Sequence, residues 1–125
     1  MRRSKVVFCE DDPMIQKVIR AALRTTDHEV HVASDGAEGL ALIKRVRPDV
    51  VFTDVAMPGL DGYALAKALK ADPETRDIPI VFMTASVQRA QLDRAAAYGV
   101  TSVLAKPFTM ADLRARVDEL VARGR

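Results

Sequence analysis

The feature that most constrains this chain is an alternation of two hydrophobic periods. Apolar runs fall at residues 5–9, 50–53, 79–83 and 100–105, and three of them stay apolar for several residues without a break. Uninterrupted runs of this length suit strands of a parallel sheet, which are covered on both faces. Residues 29–33 differ, because Val30 and Val32 alternate with polar neighbours, the pattern of an exposed edge strand. Between the runs the period becomes helical. Met14, Ile15, Val18, Ile19, Ala22 and Leu23 form one stripe, Leu40, Ile43 and Val46 a second, and Leu65, Ala66 and Leu69 a third. Leu92, Ala95 and Ala96 make a weaker fourth, and Met110, Leu113, Val117, Leu120 and Val121 close the chain. The punctuation agrees. Asp12-Pro13 is a helix cap followed by proline at the first helical position, Thr109 and Asp112 have capping-box spacing, Pro48 stops the second helix, and Gly99 stands where a left-handed C-terminal residue belongs. Five strand–helix units joined by right-handed crossovers predict an α/β fold, one parallel sheet with helices on both faces.

With 49% hydrophobic and 29% charged residues, the 125-residue chain has the composition of one domain with its own core. The last helical stripe reaches nearly to the C-terminus, so residues 1–125 are expected to be one domain without an output domain. A net charge of +2 is too small to point to nucleic acid or a membrane surface. Arg2, Arg3, Arg123 and Arg125 are expected in solvated tails. The single cysteine, Cys9, excludes an internal disulfide, and its apolar neighbours predict an inert buried thiol. No stretch is long and apolar enough to span a bilayer, and no signal-peptide core is present, so a cytoplasmic location is expected.

In open α/β sheets, ligands bind beyond the carboxyl ends of the strands. At those ends this chain places Glu10, Asp11 and Asp12 after the first strand, Asp54 after the third, Thr84 after the fourth and Lys106 after the fifth. The second strand offers only Ser34 and Asp35. Carboxylates gathered at one rim repel one another, and a hard cation such as Mg²⁺ relieves that repulsion. A lysine and a hydroxyl are suitable donors to phosphoryl oxygens. The set therefore suggests a site for a phosphoryl group and a divalent cation, with one carboxylate as acceptor.

The stretches FCEDDP, TDVAMPGLDG, FMTAS and LAKPF, in that order along the whole chain, resemble the receiver domain of two-component response regulators. The spacings also fit: Thr84 lies 84 − 54 = 30 residues after Asp54, and Lys106 lies 106 − 54 = 52 after it. The resemblance implies a flavodoxin-like doubly wound (βα)5 fold with strand order 2-1-3-4-5, an order for which chemotaxis receivers are a known example. It implies that Asp54 accepts a phosphoryl group from a phosphohistidine. Asp11 and Asp54 then bind Mg²⁺, Glu10 holds it through water, and the backbone carbonyl of Ala56 completes the protein ligands. Thr84 and Lys106 hold the phosphoryl group, with a cis bond from Lys106 to Pro107. The implied partners are a sensor histidine kinase or histidine phosphotransfer protein, and a protein target on the face of the fourth helix, fifth strand and fifth helix, around residues 87–98 and 110–121. The chain departs from the family at Val103, where most receivers have a Tyr or Phe that changes rotamer. A valine has no ring to swing, which leaves switching to Thr84 and the loop after it. Ala56 and Ala85 offer no polar group to orient an attacking water.

Rival readings compete on specific residues. A phosphatase of the haloacid-dehalogenase type also uses an aspartate nucleophile with Mg²⁺, but it needs a second aspartate where Ala56 stands. A nucleotide or flavin module needs a phosphate-cradling loop after the first strand, where Glu10-Asp11-Asp12 stands instead. A receiver cut from a longer regulator, and an interaction-only pseudo-receiver, are further readings. His28 and His31 are expected as surface residues, Tyr63 and Tyr98 as packing residues, and Asp61-Gly62 and Gly59 as turn and cap chemistry.

Overall fold

The structure, a computed structural model, describes residues 3–123. Arg2 and Arg125 thus lie outside the described residues. Arg3 donates from Nε to the Asp27 carbonyl, and Arg123 pairs with Glu119. The elements alternate as expected: β1 (Lys5–Cys9), α1 (Pro13–Leu23), β2 (Glu29–Ala33), α2 (Gly36–Val46), β3 (Val50–Asp54), α3 (Gly62–Ala71), β4 (Ile80–Thr84), α4 (Arg89–Ala97), β5 (Ser102–Ala105) and α5 (Met110–Arg123). The strands form one parallel sheet of order β2-β1-β3-β4-β5. β2 is the edge strand that its alternating pattern predicted.

The continuous apolar runs follow from two cores, one on each face. Val7, Cys9, Val51 and Phe82 pack with Leu42, Ile43, Leu65, Leu69 and Ala95 on α2, α3 and α4. Val6, Phe8, Phe52 and Met83 pack with Ile19, Leu23, Leu113 and Val117 on α1 and α5. Phe8 and Phe52 are register partners, and their rings stack at 4.9 Å. Each fully buried Val, Leu, Ile, Phe or Met side chain among these contributes about 1.5–3 kcal/mol, so both faces of β1 and β3 drive folding.

Helix ends are set by local chemistry. Asp12, Asp35 and Asp61 are N-caps whose carboxylates accept from the N–H groups of Met14, Glu38 and Ala64. Thr109 and Asp112 exchange reciprocal bonds, a complete capping box. Gly99 and Gly59 have positive φ, as their turn positions required. The end of α2 holds a surprise: Arg47, not a glycine, takes the left-handed conformation just before Pro48, and its N–H donates to the Ile43 carbonyl.

Two strand starts differ from the apolar runs, and β3 and β4 each end one residue later, at Asp54 and Thr84. β4 begins at Ile80, because Pro79 has no N–H to give; its carbonyl instead accepts from Val51. β5 begins at Ser102, because the Val100 N–H is used on the Ala95 carbonyl to close α4. Arg116 donates to the Val103 carbonyl and the Ser102 hydroxyl, covering part of the open β5 edge.

Cys9 is buried, and burial pushes its thiol pKa up to about 12. A Cβ on Gly39 would lie 2.3 Å from its sulfur, so α2 packs directly on the thiol. The folded protein should therefore resist iodoacetamide at pH 8, where almost no thiolate exists, and react fully once denatured. Alkylation of the native protein at the denatured rate would contradict this placement.

Candidate functional site

The parallel sheet brings the carboxyl ends of β1, β3, β4 and β5 to one rim, and β1 lies directly beside β3. Glu10 follows β1 and is completely buried, and its N–H is held by the Ala33 carbonyl at 2.9 Å. Asp54 ends β3. The α3 N-terminus closes against its backbone: Gly62 donates to the Val55 carbonyl, and a Cβ on Gly62 would lie 2.6 Å from the Asp54 carbonyl oxygen. Only glycine permits that approach. Lys106 follows β5, and its N–H donates to the Thr84 carbonyl at 2.8 Å. The Lys106–Pro107 bond is cis, as the resemblance implied.

The sequence-predicted residues converge. Lys106 Nζ donates to Glu10 Oε1 at 2.7 Å and lies 3.0 Å from Asp54 Oδ2. Glu10, Asp11 and Asp54 each offer a carboxylate oxygen, all within 4.8 Å of one another. Asp11 is exposed, Asp54 half-buried and Glu10 buried. Asp12 takes no part beyond capping α1, although its N–H donates to Glu10 Oε2. Thr84 lies at the same rim, and its hydroxyl accepts from the Ser86 N–H at 3.1 Å. Ala56 is exposed in the loop between β3 and α3.

The electrostatics of the group explain its arrangement. Burial drives the Glu10 carboxyl above its ordinary value, against the pull of Lys106 and the Asp12 N–H. Burial alone would lower the Lys106 ammonium, but its bonds to Glu10 and Asp54 outweigh this and leave it above its ordinary value. One ammonium thus bridges two acids. Three hard carboxylate oxygens at graded exposure suit a hydrated divalent cation such as Mg²⁺, which keeps several of its waters.

Gln16 was not foreseen as part of the site. Its side-chain amide donates to the Glu10 carbonyl at 2.6 Å and to the Ser34 hydroxyl at 3.2 Å, tying α1 to the β1 end. A polar residue one turn after the Asp12-Pro13 cap, close to the end of β1, was the available signal. The histidines stay away from the rim: His28 binds Asp118 and His31 binds Glu29. Beside Lys106 an apolar groove of about 290 Å³ is lined by Ile15, Val18, Pro107 and Phe108.

The response regulator receiver domain family matches residues 6–118. The chain belongs to this family. Chemotaxis protein CheY-3 of Vibrio cholerae is 32% identical over 123 residues, which cover 98% of this receiver and 95% of that protein. The structure of the Vibrio cholerae chemotaxis response regulator CheY4 superposes with a TM-score of 0.89 at 28% identity, over 95% of this receiver and 99% of that chain. The receiver of sensor histidine kinase PA1611 from Pseudomonas aeruginosa, solved with a magnesium ion in its active-site cleft, gives 0.86 at 29% identity, over 97% and 99%. Receivers are signalling switches of two-component systems and interact with histidine kinases. In this receiver no helix among the described residues is long and apolar enough to cross a membrane.

Proposed function

We propose that this receiver is a phosphoacceptor in a two-component phosphorelay and that Asp54 is its acceptor. A carboxylate oxygen of Asp54 forms a bond to phosphorus as the P–N bond of a phosphohistidine breaks, and the imidazole leaves with the electron pair. The donor is a sensor histidine kinase or a histidine phosphotransfer protein. The observation that carries this reading is the Lys106 ammonium held 3.0 Å from Asp54 while it also spans to Glu10. A cation fixed beside the nucleophile is ready to pair with phosphoryl oxygens as charge develops there.

Asp11, Asp54 and the Ala56 carbonyl would hold Mg²⁺ directly and Glu10 would hold it through water, where the ion neutralises charge on the transferring group. The acidic cluster supports this assignment, as does the magnesium ion in the PA1611 receiver. Lys106 moves its bonds from the carboxylates toward the new phosphoryl oxygens. Thr84 turns its hydroxyl from accepting the Ser86 N–H to donating to a phosphoryl oxygen, which pulls on the loop between β4 and α4. That loop leads to the face of α4, β5 and α5, where Val87, Leu92 and Met110 are exposed. Exposed apolar side chains there suit a protein target, so the output is a change in protein contacts, with no substrate turned over.

Incubation with acetyl phosphate and Mg²⁺ should add one phosphoryl group to the wild type by intact-mass spectrometry. Asp54→Asn should gain none, since the isosteric amide is not a nucleophile. Undiminished labelling of Asp54→Asn would overturn the assignment.

A further inference from the structure

α4 is held differently from the helices before it. Of its residues only Ala95 is buried, and its N-cap, Gln88, gives no side-chain bond. α1, α2 and α3 each have an aspartate cap and at least three buried residues. Beyond Ala95 and its own C-terminal turn, α4 is tied down by one conspicuous contact: the Arg94 guanidinium carbon lies 3.9 Å from the centre of the Tyr63 ring.

Tyr63 is a fixed point. It sits in the first turn of α3, buried, edge-on to Phe82 at 5.2 Å and beside Tyr98 at 5.1 Å. Its neighbour Gly62 is hydrogen-bonded to Val55, next to Asp54. Between this ring and the rim runs a narrow cleft of about 10 Å³, lined by Thr84, Ser86, Gln91, Leu92, Ala95 and Val103. The cleft is thus shared by Thr84 and by residues of α4.

We propose that Arg94, stacked on Tyr63, is the positioning residue that sets the resting place of α4 in this switch. The proposal rests on Asp54 being the phosphoacceptor. When Thr84 swings toward the phosphoryl group, the Ser86 loop moves, and Arg94 leaves the ring.

Amide hydrogen exchange by mass spectrometry tests this on the whole chain. In unphosphorylated Arg94→Ala, α4 peptides should exchange about two- to fivefold faster than in wild type, as expected for loss of a partly exposed cation–π contact, while α1 and α2 peptides keep their rates. Tyr63→Phe keeps the ring and should match wild type. In samples shown by intact mass to be phosphorylated, wild-type α4 should speed up and Arg94→Ala should change little further. Unchanged α4 exchange in unphosphorylated Arg94→Ala would overturn the proposal. So would acceleration spread over all helices, or an equal response of both phosphorylated proteins. The unphosphorylated comparison does not depend on Asp54 chemistry, and the labelling of Asp54→Asn does not depend on Arg94, so the two readings fail separately.

Discussion

Lys106→Ala should lower the stability of the metal-free protein by about 3 kcal/mol, or roughly 10 °C in melting temperature. The reason lies in Glu10, whose side chain is 0% exposed and whose Oε1 is held by a lysine that is itself only 15% exposed. Removing the ammonium leaves a buried carboxylate with the Asp12 N–H as its remaining donor, beside the charge of Asp54. Breaking one side of a buried pair costs more than the pair contributes when intact, because the surviving charge stays desolvated. The loss should depend on pH with a definite sign. The folded-state pKa of Glu10 is already raised above 4.5 and rises further without Lys106. A carboxyl raised in this way contributes stability that is fully present below its unfolded value and lost as pH rises through the folded one. The deficit against wild type should therefore be largest at neutral pH and shrink as the pH falls toward 4.5. Mg²⁺ returns positive charge to the same acids and should recover much of the loss, with a larger rise than in wild type. A variant that melts like wild type in EDTA would show that the bridge contributes nothing.

Mg²⁺ should stabilise the wild type by RT ln(1 + [L]/Kd), about 2.7 kcal/mol at a hundredfold excess over Kd, because the folded rim assembles ligands that the unfolded chain holds apart. Asp11→Asn removes one of the proposed ligands and should abolish most of that rise. In EDTA the same variant should melt slightly higher than wild type, since Asp11 sits within 4.8 Å of the other two acids. The gain is small because Asp11 is exposed and water screens its repulsion. If Asp11 were a structural cap, the variant would melt lower in EDTA and neither protein would respond to Mg²⁺. Thermal melts of both proteins under both conditions decide between these outcomes.

What the sequence displayed clearly was whatever acts locally or by repetition. Asp12-Pro13 and Thr109 with Asp112 showed their caps because the bonds close within three residues. The continuous runs of β1 and β3 marked them as central and the alternation in β2 marked it as an edge strand, whereas the apolar run of β5 did not show that it forms the other edge. The rim residues were legible because each follows an apolar run directly. Less legible was anything set by contact between distant segments. That Lys106 bridges Glu10 as well as Asp54 depends on β5 and β1 ending at the same level across the sheet. Arg94 over Tyr63 depends on how α4 lies across α3, and Arg116 on how α5 covers the β5 edge. Arg47 escaped because a left-handed C-cap is read from glycine, and here the backbone turns without one. The starts of β4 and β5 shifted because hydrogen-bond partners, not hydrophobicity, decide where pairing begins.

The central claim is that phosphoryl transfer forms an acyl phosphate on Asp54. Reduction with borohydride converts such a mixed anhydride to the corresponding alcohol, so an aspartyl phosphate becomes homoserine. Protein treated with acetyl phosphate and Mg²⁺, then reduced and digested, should carry homoserine at position 54 and aspartate at 11, 12 and 61. Homoserine at another aspartate, or a phosphoryl group that survives reduction on a hydroxyl or histidine, would contradict the account.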